Sequence, residues 1–365
     1  MSSNSEDFMN NRSKVFKEQF DYWSHNLESG ILRFVERALL GFNVSDVLAG
    51  NLEQVQHLDE VKQQVNERKL LEGSIPQVPL NATHGLSVDS TSAQFFFEFE
   101  NAKVDILTGL VVLDAGFVVD STLAKWQKVI FRGGIGSSIK RTKRARYKMS
   151  GRYVILPHSP FYYHTVIDEL PNLIRIREYK NDCRNVVVHS LAPKWAIELL
   201  EFFDFNVIKL DKKAAVIESF FSMSAPRAVV RNNLQLLRRD METNPSRTLI
   251  VSRKGAPRSG NSIERAILSQ FPDSELIDPG EFSIAEQVEL FSEAKLVIGL
   301  HGGALTNVVW MDTSGKLVEI FNHAYRTTDY QRVCAELGIG YVAINAVDME
   351  ASQVAREVKR YVNDQ

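Results

Sequence analysis

The sequence predicts an α/β protein with two Rossmann-like domains that face each other across a cleft, preceded by an N-terminal helical extension. Two observations lead to this fold class. From residue 153 onward, short apolar runs alternate with amphipathic segments, which is the pattern of parallel strands joined by crossover helices. A polar, helix-like linker at 232–245 divides this alternation into two blocks. At 365 residues the chain is long enough for two domains, each with its own core.

The composition is that of an ordinary soluble globular protein, with 44% hydrophobic and 24% charged residues. The formal net charge of -2 provides no general attraction to nucleic acid. Cys183 and Cys334 form no motif, which fits a reducing compartment and argues against a disulfide-rich or zinc-ribbon protein. The N-terminus shows no export segment, and no apolar run approaches the ~18 residues of a membrane span, so we expect a cytoplasmic protein.

The first 90 residues predict the helical extension and a connector. Apolar residues between 14 and 72 recur at helical spacing, and 54–69 is a polar, charge-rich helix candidate. We expect this extension to pack on the body of the protein or on the same helices of a second copy. Proline, glycine and hydroxyl residues make 73–92 a connector.

Short apolar runs punctuated by glycine predict hairpins or a small β layer over 93–130. A basic run follows at 140–148, and two interpretations stay open for it. It is a solvated basic loop, or it is a surface for an anionic acceptor or for lipid headgroups. Aromatic residues do not alternate with the charges, which disfavours nucleic acid. The cations that we assign to this surface are Lys140, Arg141, Lys143 and Arg144.

The two α/β blocks supply the remaining elements and the domain limits. In the first block, strands are predicted at 153–156, 185–189, 206–208 and 216–230, with helices at 162–179 and 193–203. In the second block, strands are predicted at 248–252, 275–277, 296–298, 317–321 and 341–343, with helices at 261–270, 283–293, 303–311, 330–337 and 350–363. The predicted divisions are 1–90, an N-terminal α/β domain at 91–240, a C-terminal α/β domain at 241–348 and a closing helix at 349–365.

A histidine and two carboxylates lie close together in the first block. His164 and Asp168 are four residues apart, so they share one face of the predicted helix, with Glu169 one position further round. Pro171 is expected to end or kink the helix just beyond them. A histidine beside a carboxylate at the mouth of a cleft suits acid–base chemistry, whereas on an ordinary surface helix the same pair is a local hydrogen bond.

Three cations follow the first predicted strand of the second block. Ser252 ends the strand and is followed by Arg253 and Lys254, with Arg258 a few residues further on. Guanidinium groups bind phosphate oxygens in pairs, so cations at the carboxyl end of a strand suit a diphosphate. Basic residues are also common in loops that bind nothing.

The segment at 295–311 predicts a strand, a glycine turn and a helix. His301, Gly302 and Gly303 form the turn. Paired glycines let a backbone approach its ligand closely, and the N-terminus of the following helix favours an anion. Taken alone, the segment also fits a structural strand-to-helix turn.

Glu319 interrupts an apolar strand, where a buried carboxylate needs a partner. The ribose hydroxyls of a nucleotide or a nearby arginine such as Arg326 would serve. The chain contains no Asp-x-Asp pair, P-loop, GxSxG elbow or GxGxxG motif.

In combination, these segments resemble the glycosyltransferase family 61 domain over about 100–345. The most specific parts are YYHTVIDELPNL, SRKGAPR and GLHGGALTN followed by VEIF, with DYQRVCAELGIGY near the end. The resemblance implies an inverting, metal-independent enzyme of the GT-B fold that uses a nucleotide-sugar donor. No cofactor or metal is expected, because the nucleotide-sugar is a substrate.

The resemblance also implies roles for individual residues. Asp168 is the expected general base, with His164 orienting it or the acceptor, and Glu169 and His164 are alternative bases. Arg253 and Lys254 fall at phosphate-binding positions, and the backbone amides of 302–305 are expected to face the donor diphosphate. His301 contacts the donor or holds the turn, and Glu319 lies near the nucleoside. The donor-binding residues implied are Ser252, Arg253, Lys254, Arg258, His301, Gly302, Gly303, Ala304, Leu305, Asn307 and Glu319.

Two departures from the family pattern bear on the donor. The chain has HGGAL where HGAGL is commoner, and SRKGAPRSGN lacks a second arginine before its asparagine. The expected partners are a nucleotide-sugar and a glycan or lipid-linked acceptor in bacterial surface polysaccharide (capsule) synthesis, with peripheral contact at the inner membrane and no nucleic acid. The competing hypotheses are a nucleotide-sugar epimerase on the same scaffold and a non-catalytic protein that binds phosphate or nucleic acid.

Overall fold

The computed structural model describes residues 65–74, 91–112, 118–119, 134–180, 183–223, 234–238, 244–253, 261–324 and 326–363. These residues form two sheets, one of eight strands and one of five. Both sheets are rich in parallel pairs, so the chain has the two-domain, Rossmann-like α/β arrangement that the sequence predicts.

The N-terminal sheet is mixed. Its order is β4-β3-β2-β8-β5-β6-β7, with β1 paired to β2. The strands β8, β5, β6 and β7 are parallel neighbours, whereas β2 runs antiparallel to β8, β1 and β3. The strands are β1 Val65–Ser74, β2 Thr91–Asp105, β3 Val111–Val112, β4 Val118–Val119, β5 Lys148–Ile155, β6 Asn185–His189, β7 Asn206–Leu210 and β8 Ala214–Met223.

Among the residues that the structure describes, three helices belong to this half of the chain. They are α1 Gly134–Lys143, α2 at 162–179 and α3 Lys194–Phe202. Helix α2 is not uniform, because α-helical turns at Tyr162–His164 and Leu170–Tyr179 enclose a π-helical turn at Thr165–Glu169.

The C-terminal sheet is wholly parallel, in the order β10-β9-β11-β12-β13. From β9 the chain first moves outward to β10 and then returns to the other side of β9 to form β11. This reversal creates a topological switch point between β9 and β11, where open α/β sheets bind ligands beyond the carboxyl ends of their strands. The elements are β9 Arg247–Val251, α4 Asn261–Gln270, β10 Glu275–Ile277, α5 Ile284–Ser292, β11 Ala294–Leu300, β12 Lys316–Phe321, α6 Asp329–Leu337, β13 Gly340–Asn345 and α7 Ala351–Asn363.

The sequence explains the local structure of this half. The central strands are continuous apolar runs, as expected for strands covered on both faces. Helix α5 begins at a capping box, in which Ser283 accepts from the amide of Glu286 while the Glu286 carboxylate accepts from the amide of Ser283. Helix α6 ends at Gly338, whose φ of 75° is the left-handed conformation that glycine adopts readily.

One hydrophobic core is shared by both sheets. It includes Leu173 from α2 and Val186 from β6 together with Leu249 from β9 and Val297 from β11. The rings of Phe203 and Trp310 meet at this junction, with their centroids 6.0 Å apart. The two halves are therefore packed firmly against each other around this core.

Several sequence predictions need correction. Residues 65–69, predicted as the end of a helix over 54–69, belong instead to β1, which pairs antiparallel with β2. The rest of the predicted N-terminal extension lies outside the described residues. The basic segment after residue 131, for which a loop was one prediction, forms α1 and the start of β5. The helix predicted at 303–311 is a 3-10 helix, Gly303–Trp310, and the linker at 232–245 contains another, Leu234–Arg238.

Within the described ranges, no helix combines the length and the apolar character needed to cross a membrane.

Candidate active site

The His–carboxylate pair predicted from the sequence exists: His164 immediately precedes the π-helical turn of α2, and Asp168 lies on that turn. Nδ1 of His164 is 2.7 Å from Oδ2 of Asp168, and their side chains are 30% and 23% exposed. Pro171 accounts for the local geometry, because its ring lacks an N–H and crowds the carbonyl four residues earlier. The wider π turn at Thr165–Glu169 accommodates the proline. Of the two outcomes expected at Pro171, an end or a kink, the helix does not end; it is distorted by the π turn and continues to Tyr179, the predicted limit.

Two aromatic rings hold His164 in position. The ring of Phe161 lies 6.0 Å from the imidazole and that of Tyr163 lies 5.3 Å away, and both are nearly perpendicular to it. Edge-to-face packing of this kind is the favoured geometry of aromatic pairs. The imidazole is therefore fixed on both sides and, through Nδ1, by Asp168.

The two carboxyl groups of the turn have raised pKa values. Burial raises the pKa of Asp168, and the hydrogen bond from His164 acts in the opposite direction. Burial, with the nearby Asp168 charge, raises the pKa of Glu169 to about 8. Glu169 is consequently protonated over most of the neutral range, whereas Asp168 has a partner that favours its charged form.

The second half of the site lies at the switch point of the C-terminal sheet. Arg253 follows the carboxyl end of β9, and its Nη1 donates to the carbonyl oxygen of His301, which follows β11. Glu264 on α4 holds the start of this loop, because its carboxylate accepts from Oγ of Ser252 and from the amide of Arg253, each at 3.0 Å. An arginine is thus fixed beside the glycine turn.

Gly302 is required by close approach and not by its backbone conformation, which is extended. A Cβ atom at Gly302 would lie 2.6 Å from Cζ of Arg253, whereas a Cβ at Gly303 would meet nothing within 4 Å. The amides of Gly303 and Ala304 precede the first bond of the 3-10 helix, in which the amide of Leu305 donates to the Gly302 carbonyl at 3.0 Å. The expectation that Leu305 offers its amide to a phosphate is therefore wrong.

Glu319 is fully buried, and its partner is neither of the two that the sequence suggested. Its Oε1 lies 2.6 Å from Nδ1 of His301, and its Oε2 accepts from the hydroxyl of Tyr341 at 2.6 Å. Burial raises the pKa of Glu319, and the hydrogen bonds from His301 and Tyr341 oppose this effect. Glu319 thus holds His301 through Nδ1. Arg326, which the sequence suggested as the partner of Glu319, does not bind it through Nε, because that atom is buried without a hydrogen-bond partner.

Asn307 also differs from its predicted role. Its side chain is buried, with Oδ1 accepting from Tyr162 at 2.8 Å and from Trp310 Nε1 at 3.0 Å. Its Nδ2 donates to Gln287 Oε1 at 2.9 Å. Asn307 therefore joins the two halves of the molecule and has no exposed group for a donor.

Tyr330 connects the His164–Asp168 pair to the glycine turn. Its hydroxyl donates to the Gly302 carbonyl at 2.7 Å, and its ring packs edge-on against Tyr163 with centroids 5.5 Å apart. Tyr163 in turn packs against His164. Direct contacts thus connect the Gly302 turn with the His164–Asp168 pair across the junction of the two halves.

The remaining predicted residues divide into three groups. Lys254 and Arg258 lie outside the described residues. Lys140, Lys143 and Arg144 are exposed on or just after α1. Arg141 is instead held by the fully buried carboxylate of Asp105, so the structure corrects its assignment to an acceptor surface. No group of three histidine, cysteine, aspartate or glutamate side chains in the described part of the chain has metal-binding geometry.

Sequence reasoning missed several residues of the site: Tyr162, Tyr163, Glu264, Tyr330 and Tyr341. Tyr162, Tyr163, Tyr330 and Tyr341 lie in segments that carried the family resemblance, and Glu264 follows SRKGAPR, but the resemblance assigned none of them a role. The hydrogen-bond partners of Tyr162, Tyr330 and Tyr341 are distant in sequence, so local spacing carries no signal for them.

Comparison with known proteins identifies the class. Residues 162–318 match the model of the family described as Glycosyltransferase 61. The matched region begins at α2 and ends within β12, so it contains both the His164–Asp168 pair and the Arg253–Gly302 contact. The protein is therefore an enzyme, a glycosyltransferase, which binds a sugar donor and an acceptor. The match confirms the predicted family, and the 162–318 region belongs to glycosyltransferase family 61.

Other comparisons add little. No curated protein matches the chain. A diflavin flavoprotein A3 from Nostoc sp. is 12% identical, with a TM-score of 0.25, and covers 34% of this chain and 100% of its own. A flavodoxin-like domain from Synechococcus sp. is also 12% identical, with a TM-score of 0.26, and covers 32% of this chain and 93% of its own. At this level, neither likeness bears on fold or function.

Proposed function

We propose that the protein transfers a sugar from a nucleoside-diphosphate sugar to a hydroxyl group of a glycan or lipid-linked acceptor. The transfer would invert the anomeric carbon and would need no metal ion. One observation carries the proposal. The guanidinium of Arg253 lies against the Gly302 turn at the switch point of a parallel sheet, and Tyr330 links that turn to the helix that bears His164 and Asp168.

The donor diphosphate would lie over the glycine turn. Arg253 and the amides of Gly303 and Ala304 are groups that stabilise the negative charge of a departing nucleoside diphosphate. Lys254 and Arg258 follow Arg253 closely in the sequence and would add positive charge. These positive groups are proposed to do what a cation held by an Asp-x-Asp pair does in metal-dependent transferases, and the sequence has no such pair.

The His164–Asp168 pair is the proposed general base. The carboxylate of Asp168 accepts from Nδ1 of His164, which directs Nε2 towards the acceptor hydroxyl. As the acceptor oxygen bonds to the anomeric carbon, its proton passes to Nε2. The bond from that carbon to the diphosphate oxygen breaks, and its electron pair leaves with the nucleoside diphosphate. We favour this division of roles over Asp168 acting alone, because the imidazole is the more exposed partner.

Glu169 is the weaker candidate for the base. Because its pKa is raised to about 8, it carries a proton at neutral pH and cannot accept another. A Glu169 base would require activity to rise with pH up to about pH 8 and to level off above it.

The remaining parts of the proposal concern the domain arrangement, the basic surface on α1 and the cellular context. The two domains would form the GT-B arrangement, with the donor on the C-terminal side and the acceptor on the N-terminal side. The exposed Lys140, Lys143 and Arg144 would face an anionic acceptor or lipid headgroups at the inner membrane. Surface polysaccharide synthesis in a bacterial cytoplasm is the proposed context, and the N-terminal extension is the proposed site of self-association.

Donor binding tests the first half of the proposal. Thermal-shift and calorimetric titrations with UDP, GDP, CMP and their sugars should reveal one preferred nucleotide, since a ligand at a hundredfold excess over its Kd stabilises by about 2.7 kcal/mol. Arg253→Ala should weaken that binding at least about tenfold, the effect of losing one charge-assisted contact. Arg360→Ala, which removes an exposed arginine on α7, is the matched control and should leave binding unchanged. Equal binding by both variants would overturn the donor site.

Transfer tests the second half. His164→Ala and Asp168→Asn should each abolish sugar transfer while the nucleotide still binds. The anomeric configuration of the product, followed by NMR, should be the opposite of the donor's, and excess EDTA should leave the rate unchanged. Release of an epimerised sugar without acceptor would point to an epimerase, and strict dependence on Mn²⁺ would refute the metal-free mechanism.

A further inference from the structure

Phe161 is the most informative exposed aromatic residue of the molecule, because it is both unburied and held rigidly beside the proposed base. It is 45% exposed, and its ring lies 6.0 Å from that of His164 at an interplanar angle of 87°. A single exposed apolar residue is ordinary on a protein surface. Phe161 needs a separate explanation, because it lies beside His164 and its backbone is held by hydrogen bonds.

The backbone of Phe161 is fixed from both sides. Its amide donates to Oγ of Ser159 at 3.0 Å, and its carbonyl accepts from the amide and the hydroxyl of Thr165, each at 3.2 Å. Ser159 and Thr165 are themselves 3% and 1% exposed. The phenyl group is therefore presented at a fixed point at the start of α2, and little conformational freedom remains to be lost when a ligand covers it.

The location of the ring limits what can cover it. Phe161 follows the loop that leaves the carboxyl end of β5, the end of a parallel strand at which α/β proteins bind ligands. A hydroxyl group in contact with His164 would lie close to this ring, because the two ring centroids are only 6.0 Å apart. Leu191 provides a contrast. It is 70% exposed, but it lies in the turn after β6 and not beside the His164–Asp168 pair.

We propose that Phe161 is the platform of an acceptor subsite, on which the apolar face of a sugar ring stacks while a hydroxyl of that sugar, or of the next one, meets His164. The C–H bonds on one face of a pyranose are apolar and weakly positive, and they complement the negative face of an aromatic ring. The edge-to-face contact with His164 occupies at most one face of the phenyl ring, which leaves the other for the sugar. The inference rests on the proposed glycosyltransferase function and extends it to the acceptor side.

The subsite makes a specific prediction about substrate class. The acceptor is a carbohydrate at its reacting end, including the terminal sugar of a lipid-linked glycan. A hydroxyl of a protein side chain without an attached sugar would gain nothing from a flat aromatic platform. Loss of the ring should weaken acceptor binding and leave the donor turn, which is on the other sheet, unaffected.

Saturation-transfer NMR with the methyl glycosides of glucose, galactose, N-acetylglucosamine and xylose tests the subsite directly. The unmodified protein and Phe161→Tyr should transfer saturation mainly to the C–H protons on one face of at least one glycoside. Phe161→Ala should lose that signal, with binding about tenfold weaker, the order expected for the loss of one aromatic stacking contact. Phe161→Leu keeps much of the apolar volume without the aromatic face, and it should resemble the alanine variant.

One further measurement separates this inference from the proposed function. Nucleotide binding by calorimetry should be the same in the unmodified protein and in Phe161→Ala, because the donor turn lies on the other sheet. If the nucleotide binds while the glycoside signals are equal with and without the ring, or absent altogether, the platform is refuted and the transferase proposal stands. If no nucleotide binds, the proposed function fails first.

Discussion

The hydroxyl of Tyr162 donates a 2.8 Å hydrogen bond to Oδ1 of Asn307, and this bond crosses from the first helix turn of α2 to the 3-10 helix behind the glycine turn. The same oxygen accepts from Trp310, and the Asn307 amide donates to Gln287. One buried side chain therefore satisfies three partners from three elements. The next residue, Tyr163, packs on Tyr330, so two consecutive tyrosines tie the proposed base to the proposed donor site.

Removal of Asn307 should destabilise the protein more than removal of the Tyr162 hydroxyl. Tyr162→Phe loses one hydrogen bond while Trp310 still satisfies Asn307, so about 1 kcal/mol is expected. Asn307→Ala removes the hydrogen bonds that Asn307 makes with Tyr162, Trp310 and Gln287. At about 1–3 kcal/mol for each buried group left unsatisfied, a loss of about 3 kcal/mol is expected. Urea unfolding measures both values.

Tyr361→Phe is the control for the tyrosine, because Tyr361 is exposed on α7. It should leave the midpoint of unfolding unchanged. Equal losses for Tyr162→Phe and Asn307→Ala would mean that Asn307 is not the centre of the network.

Gly302 and Gly303 form a natural pair of test and control. In Gly302→Ala the new methyl group would lie 2.6 Å from the Arg253 guanidinium carbon, so the arginine must move away from the turn. Nucleotide binding, measured by calorimetry, should weaken about tenfold or more, as expected when a charge-assisted contact to phosphate is displaced. In Gly303→Ala the methyl group meets nothing within 4 Å, and binding should change less than about twofold.

The backbone at Gly302 is extended, so the alanine introduces no conformational strain of its own. A loss of binding in Gly302→Ala with full thermal stability would therefore show that displacement of Arg253 causes the loss. The same loss in Gly303→Ala would indicate instead that the turn must be bare of side chains throughout.

Regular elements with a strong local pattern were predictable from the sequence. The bounds of β6, α4 and β10 agree with the sequence prediction to the residue. Their apolar runs are flanked by polar residues or turn formers, so local propensity and tertiary burial agree. The pair His164–Asp168 was predictable for a similar reason, since a spacing of four brings two side chains together on any helical turn.

Elements that depend on distant partners were not predictable. Helix α1 has glycine, serine and basic residues that suit a loop, but Ser138 and Arg141 bind the buried carboxylate of Asp105, more than 30 residues earlier. The 3-10 helix at Gly303–Trp310 is apolar nearly throughout, so over eight residues no period distinguishes it from an α-helix. Likewise, no local pattern connects Glu319 with Tyr341 or Tyr162 with Asn307, because these pairs arise only when strands and helices have packed.

Glu169 should make the protein less stable as the pH rises. Its pKa is about 8 in the folded protein and close to the usual 4.5 when unfolded, so between these values the unfolded chain loses its proton while the folded protein retains it. The free energy of unfolding should fall across pH 4.5–8, with a slope from this group of at most about 1.4 kcal/mol per pH unit. Glu169→Gln, measured by urea unfolding at pH 5, 6.5 and 8, should have a shallower slope. Parallel curves for the two proteins would show that Glu169 is ionised in the folded state.

His158 and His189 should have the opposite effect, because both histidines have lowered pKa values. Their rings lie 6.3 Å apart, and Nδ1 of His158 and Nε2 of His189 are buried without hydrogen-bond partners. Burial is the largest cause of both shifts, and the neighbouring His189 also lowers the pKa of His158. Lys213 lowers the pKa of His189 further, whereas the carboxylates of Asp211 and Asp105 raise it. A charged imidazole in this pair would lose its hydration without gaining a partner.

Acid should therefore destabilise the protein through these two histidines. The unfolded chain takes up their protons as the pH falls below about 6.5, while the folded protein resists protonation, so the stability present above pH 6.5 is progressively lost below it. His189→Asn keeps an acceptor for the Leu191 amide, which donates to Nδ1 of His189 at 3.2 Å, and removes one titrating group. Relative to the unmodified protein, this variant should gain stability steadily between pH 7 and pH 5 in urea titrations, by at most about 1.4 kcal/mol per pH unit. A difference between the two proteins that stays constant over that range would mean that His189 is protonated in the folded state as readily as in the unfolded one.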